Sequence, residues 1–133
     1  MSAVFSHSLE VRFRDCDPLG HVNNAVYLTY LEQARIAHWR ALGGFGIPDR
    51  AGEPGVILAR VEIDYRAPAR YGDLLEVRLT VAAVGRSSFT YDYTIVGEND
   101  RTIASAKTVM VMYDYGAAKP VPVPDDIRRK LGC

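Results

Sequence analysis

What most restricts the fold of this chain is one helical stretch, about Asn24 to Leu42, that is apolar on nearly every side and is followed by a train of alternating strands. Leu28, Leu31 and Leu42 fall on one side, Tyr27, Tyr30, Ala34, Ala37 and Ala41 on another, and Ile36 and Trp39 on a third, with Glu32, Gln33, Arg35 and Arg40 sparsely between. A helix of this kind is expected to be enclosed by its own protein. Its alanines let a sheet approach closely, and Gly43-Gly44 ends it. Before it, Leu9, Val11 and Phe13 alternate with Glu10, Arg12 and Arg14, the pattern of a half-buried strand.

After a loose Gly- and Pro-containing segment, Phe45 to Gly55, three more alternations follow. Ile57, Ala59, Val61, Ile63 and Tyr65 form the first; Leu75, Val77, Leu79, Val81 and Ala83 the second; Phe89, Tyr91, Tyr93 and Ile95 the third. Gly97-Glu98-Asn99-Asp100 reads as a hairpin connection to a long last strand, about Thr102 to Tyr113. Pro120, Pro122 and Pro124 mark an extended tail before a short helix around Asp125 to Leu131. The economical solution is an α+β domain over residues 1–133, an antiparallel sheet of about five strands wrapped around one long central helix.

Between the first strand and the helix stands Arg14-Asp15-Cys16-Asp17-Pro18-Leu19-Gly20-His21-Val22-Asn23-Asn24. Asp17-Pro18-Leu19-Gly20 suits a turn, because Pro presets φ at the second position and Asp and Gly suit the first and last. The residue before Pro is held extended, which predicts that the strand ends at Asp17. Asn23 or Asn24 can then cap the helix, whose first N–H groups lack intrahelical partners and carry the positive end of its dipole. A developing oxyanion is stabilised in such a place. On a regular strand Asp15 and Asp17 share a face, where like-charge repulsion raises one pKa; Asp15 also reads as a partner for a backbone group or a nearby arginine. Glu32 is a candidate supporting carboxylate inside the fold, bonded to Arg35 or a neighbouring strand, because a buried carboxylate needs a partner.

Composition removes several classes of function. Sixteen Lys and Arg balance sixteen Asp and Glu, so there is no global electrostatic case for nucleic acid or an anionic membrane. Met1 to His7 lacks a charged leader followed by an apolar run, and no stretch is long enough to span a bilayer, which makes the cytoplasm the expected compartment. Cys16 and Cys133 are too few for a disulfide framework. Asp15 and Asp17 flank Cys16 and disfavour its thiolate, so it is expected to pack. His7, His21 and His38 form no zinc motif, Gly85-Arg86-Ser87-Ser88 is not a nucleophile elbow, and no phosphate-cradling glycine loop occurs. No metal and no resident cofactor is expected.

The segment Val11 to Arg35, with Arg-Asp-x-Asp-x-x-Gly-His-Val-Asn-Asn and Tyr-Leu-x-Tyr-x-Glu-x-Ala-Arg, resembles the hotdog-fold acyl-CoA thioesterases of the 4-hydroxybenzoyl-CoA thioesterase type. Tyr65-Arg66-Ala67-Pro68 and Tyr71-Gly72-Asp73 extend the likeness over most of the domain. The resemblance implies hydrolysis of an acyl thioester. Asp17 matches the catalytic carboxylate, a general base or a nucleophile, and Asn24 the position whose backbone N–H polarises the thioester carbonyl. His21 and Asn23 belong to the same motif and depart from the hydroxybenzoyl-type members, where aromatic and apolar residues occur. Arg86, Ser87 and Ser88 match a region that binds the nucleotide of coenzyme A, with Arg66 and Arg70 as further cationic candidates; Tyr27 is a candidate wall of the acyl pocket.

The substrate so implied is an acyl-CoA or acyl-carrier thioester, coenzyme A being part of it rather than a cofactor. The likeness further implies a homodimer or homotetramer with the sheets continued edge to edge and the site at the subunit boundary. The alternative is a non-catalytic hotdog module that binds an acyl thioester or a protein partner, with Asp17 serving only the turn.

Overall fold

The computed structural model describes residues 3–44 and 54–132, so most of the segment read as loose, and Cys133, lie outside the described residues. β1 (Phe5–Glu10) is followed by a 3-10 turn (Phe13–Asp15), a loop and α1 (Val26–Ala41). Then come β2 (Gly55–Tyr65), β3 (Leu74–Val84), β4 (Ser88–Val96), β5 (Thr102–Asp114), the two-residue β6 (Lys119–Pro120) and α2 (Asp125–Lys130). Every pairing is antiparallel, in the order β1-β3-β4-β5-β2 with β6 beside β5. β3, β4 and β5 form a meander, but β2 does not join it as its place in the train of strands suggests: it pairs with β5 rather than with its successor β3. β1 and β2, which flank α1 in the chain, end at opposite edges of the sheet.

The period-2 patterns hold where strands are covered on one face. Leu75, Val77, Leu79 and Val81 on β3 and Phe89, Tyr91, Tyr93 and Ile95 on β4 are all buried, with Leu79 opposite Tyr93 and Val81 opposite Tyr91. They join Tyr27, Tyr30, Leu31 and Ala34 of α1 and Met110 and Met112 of β5 in one core. Each buried Val, Leu, Ile, Phe or Met among them stabilises the fold by about 1.5–3 kcal/mol relative to exposure. Ala83 departs from its expected inward place. A bulge between Val81 and Ala83 shifts the register, and both Ala82 and Ala83 face solvent.

Two larger corrections bear on the site. The first strand stops at Glu10 rather than Asp17. Val11 is still fully buried, but the chain then tightens into the 3-10 turn, leaving Phe13 79% exposed against the ring edge of Tyr71. The helix, in turn, is not enclosed within the single chain. Its Tyr27, Tyr30, Leu31, Ala34, Arg35 and Trp39 are buried, whereas Leu28, Thr29, Glu32 and Gln33 are exposed. One sheet packs against one side of a helix, and no other described element covers this opposite flank.

Candidate active site

The site grows out of a carboxylate that the fold uses for itself. Asp15, 2% exposed, accepts hydrogen bonds from the Arg12 backbone N–H at 3.0 Å, Arg12 Nη2 at 2.9 Å and Tyr30 Oη at 2.8 Å. Two of these close the 3-10 turn, and the third fastens that turn to α1. Burial disfavours the Asp15 carboxylate, but the donated bonds from Arg12 and Tyr30 outweigh it and hold its pKa below the usual range. The like-charge pair expected with Asp17 does not form, because the strand has ended and Asp15 turns inward.

Asp15→Asn should therefore lower stability by about 1–3 kcal/mol, since a buried donor is left unmatched. Because the folded-state pKa is depressed, this contribution is complete at neutral pH and is lost as the pH falls through the carboxylate's folded value. Urea midpoints for both proteins should differ at neutral pH and converge on acidification. An equal difference at every pH would contradict this role.

Residues 16–22 form a tight hairpin. Cys16 bridges Val22, the Asp17 N–H donates to the His21 carbonyl at 2.9 Å, and the Gly20 N–H donates to the Asp17 carbonyl at 2.9 Å. Gly20 has φ +85°, a conformation that favours glycine. Asp17 Oδ1 accepts from the Leu19 N–H at 2.9 Å, as the turn chemistry predicts, and the other carboxylate oxygen has no partner among the described residues. The hairpin is pinned to the loop after β2, with the Val22 N–H on the Ala69 carbonyl at 2.8 Å and a bridge between His21 and Arg70.

At the start of α1 the asparagines divide their work. The Asn23 N–H donates to the Asp15 carbonyl, Asn23 Oδ1 accepts from the Ala25 N–H at 2.9 Å, and the Asn23 carbonyl accepts from the Val26 N–H at 2.9 Å. Asn23 Oδ1 thus closes a turn ahead of α1, whose N-cap is Ala25 without a side-chain cap bond, so neither asparagine occupies the cap position that the sequence suggested. The Asn24 carbonyl accepts from Tyr65 Oη at 2.8 Å, and the Asn24 N–H has no partner among the described residues.

Asp17, His21, Asn24, Tyr27, Tyr65 and Arg66 line one open cleft of about 360 Å³. Tyr27 is buried at its inner end, where its hydroxyl accepts from the Ala69 N–H at 3.3 Å and its ring meets Tyr30 and Tyr65 edge to face. Burial raises the Tyr27 pKa. Tyr65 sits at the mouth, and its part was missed by sequence reasoning; only its place in the Tyr-Arg-Ala-Pro run beside the site marked it. A carboxylate oxygen and a backbone donor without partners among the described residues, on two residues that line one cleft, are groups of the kind that attack a carbonyl and stabilise the oxyanion that forms.

The Arg66 guanidinium rests on Ser105 Oγ at 3.2 and 3.3 Å, and Arg70 is exposed beside the hairpin. Arg86, Ser87 and Ser88 occupy the β3–β4 turn, at the far end of β3 from the loop that meets the hairpin. There the Arg86 and Ser87 carbonyls accept from the Val123 and Met112 N–H groups. One chain does not bring this turn to Asp17.

Glu32 corrects the expectation of a buried support: it is exposed. Arg35 lies on the flank toward the sheet, where it donates to Tyr93 Oη at 3.3 Å rather than pairing with Glu32. Cys16 packs, with its Sγ near the Arg12 carbonyl. A larger groove of about 540 Å³ runs along β1, β3 and the 97–100 turn, where the one lining arginine, Arg78, is already paired with Glu76 and Asp100. Among the described residues no group of three or more His, Cys, Asp or Glu side chains is placed to hold a metal ion, and no helix is long and apolar enough to cross a membrane.

Comparison with known proteins agrees with this chemistry. The chain is 30% identical over 123 residues to a 1,4-dihydroxy-2-naphthoyl-CoA hydrolase of Synechococcus elongatus, covering 89% of this chain and 88% of that protein. It is 25% identical over 126 residues to the acyl-CoA thioester hydrolase YbgC of Escherichia coli, covering 95% and 94%. A thioesterase of Thermus thermophilus, solved as a complex with coenzyme A and zinc, superimposes with a TM-score of 0.82 at 35% identity, covering 100% of both chains. Residues 11–131 match the model of the thioesterase-like superfamily, and the chain belongs to that superfamily.

Proposed function

We propose that this thioester hydrolase cleaves acyl-coenzyme A, with Asp17 supplying the attack and the Asn24 N–H receiving the oxyanion. The observation that carries the reading is that an Asp17 oxygen and the Asn24 N–H, both without partners among the described residues, belong to residues lining the same cleft. The Asp17 oxygen either attacks the thioester carbon directly, giving an anhydride that a water then hydrolyses, or deprotonates a water that attacks; in both routes the carbonyl oxygen gains charge against the Asn24 N–H, the C–S bond breaks, the thiolate takes up a proton to leave as coenzyme A thiol, and the acyl group departs as the carboxylic acid. Asn23 positions the donor through its side chain and carbonyl. His21 borders the cleft and, through its backbone, closes the turn that aims Asp17.

A coenzyme A carrier, rather than a carrier protein, is supported by the two relatives named for acyl-CoA hydrolysis and by the Thermus complex with coenzyme A. The reading is tested with a panel of straight-chain, branched and aromatic acyl-CoA esters, following thiol release. Turnover is expected for at least one class; release from none would remove the hydrolase assignment.

Two chains pair, in this reading, along β2. That strand, Gly55–Tyr65, has β5 on one side and nothing described on the other, and Leu58 and Tyr65 on it are exposed. An unpaired edge of this length invites a second copy, and the exposed α1 flank with Leu28 and Glu32 gains cover by the same association. The partner's β3–β4 turn then supplies the cations for the coenzyme A phosphates. Arg86→Ala should raise KM for acyl-CoA several-fold while leaving it unchanged for a truncated thioester without the nucleotide. An equal rise for both would make Arg86 structural. We assign the protein to the cytoplasm, since its two cysteines are too few for the disulfide framework of an exported domain.

A further inference from the structure

We propose that Tyr65 is a positioning residue whose hydroxyl fixes the orientation of the Asn24 backbone donor; this rests on the assignment of that N–H to the oxyanion. Two peptide planes meet at the Asn24 α-carbon. The plane before it carries the Asn23 carbonyl and the Asn24 N–H, which point in opposite directions because the peptide is trans. The Val26 N–H holds that carbonyl on the helix side at 2.9 Å, so the Asn24 N–H is directed away from the helix. The plane after it carries the Asn24 carbonyl and the Ala25 N–H. Tyr65 Oη holds the first at 2.8 Å, and Asn23 Oδ1 holds the second at 2.9 Å.

Three of the four polar groups around Asn24 are thereby fixed, and the remaining one is the donor. Two of the three anchors are local to residues 23–26. Tyr65 is the third and comes from 41 residues away, on the last position of β2. It ties the carbonyl next to the donor to the end of β2.

The hydrogen-bond direction also excludes a competing role. A carbonyl oxygen only accepts, so the single phenolic proton of Tyr65 is committed to Asn24 and is not offered to a substrate. The ring is kept in place by its edge-to-face contact with Tyr27 at 5.4 Å, and Tyr27 is in turn held at Ala69. Removing the hydroxyl should leave this packing intact and loosen the 24–25 peptide, and through the shared Asn24 α-carbon the neighbouring 23–24 plane that carries the donor can then turn. A backbone donor that swings by a few tens of degrees still permits binding but serves the oxyanion poorly.

The test is Tyr65→Phe, which keeps the ring. Deleting a whole oxyanion donor costs about 10²–10³-fold in kcat, so loosening one should cost about 10-fold. KM should stay within about twofold, because the lost interaction matters only in the transition state. An S-alkyl-CoA thioether, which has no carbonyl, should bind the variant as it binds wild type, and the melting temperature should be unchanged. Unchanged kcat in Tyr65→Phe beside an active wild type would overturn the positioning role and leave the hydrolase reading standing. A raised KM with kcat intact, or weakened thioether binding, would overturn it by making Tyr65 a substrate contact. A wild type inert toward every acyl-CoA would bring down the hydrolase reading itself, and this role with it.

Discussion

Asp17→Asn should fold, melt and assemble as wild type and lose about 10²–10⁴-fold in kcat, the usual contribution of one acid–base group. The fold is expected to tolerate it because the structural duty of Asp17 is acceptance of the Leu19 N–H by Oδ1, which an amide oxygen performs as well. The chemical duty falls to the other oxygen, and an amide nitrogen there is neither a base nor an anionic nucleophile. Circular dichroism and thiol release on the same preparation separate the two. Asp15→Asn should behave the opposite way, losing stability while keeping more activity than Asp17→Asn. Near-wild-type turnover by folded Asp17→Asn, or the reverse ranking of the two variants, would mean that the wrong carboxylate had been chosen.

Mixing two crippled proteins should restore activity. β3 runs 11 residues, about 35 Å at the usual rise per residue, between the loop that meets the Asp17 hairpin and the turn that carries Arg86. A coenzyme A molecule gripped at both places needs two chains. Asp17→Asn and Arg86→Ala subunits, exchanged and assayed at low acyl-CoA, pair so that one site of each hybrid carries both lesions and the other carries neither. Random pairing gives half hybrids, so recovery of about a quarter of wild-type activity is expected for two-fold dimers. Light scattering at assay concentration should give at least twice the 14.7 kDa chain mass. An active monomer would refute the assembly, and no recovery after verified exchange would refute the shared site.

Much of this site was legible because short-range chemistry writes it. The Asp17–Gly20 turn and the helix end before Gly43-Gly44 each depend on groups within a few residues of one another, and both are found as read, whereas Asn23 closes a turn ahead of the helix instead of capping it. The alternation of β3 and β4 was equally plain, since a strand with one covered face repeats every second residue. What failed depended on distance. β1 ends at Glu10 although its alternation continues to Phe13, because Asp15 is claimed by Arg12 and by Tyr30 fifteen residues away, and that claim is stronger than three residues of pattern. Glu32 and Arg35 adjoin on the helix yet part, one to solvent and one to Tyr93.

The sequence by itself determined the elements, the inward faces of the central strands, the turn that presents Asp17 and the family to which the chain belongs. The sequence also offered Asp15 a backbone group and a nearby arginine, both of which it finds in Arg12; tertiary structure added the third bond, from Tyr30. It alone brought Tyr65 to the Asn24 carbonyl and carried Arg86 to the far end of β3. It also left one flank of an almost wholly apolar helix in the open. Periodicity records which side of an element avoids water; how much of that side a chain covers with its own residues is set by where its strands take their places in the sheet.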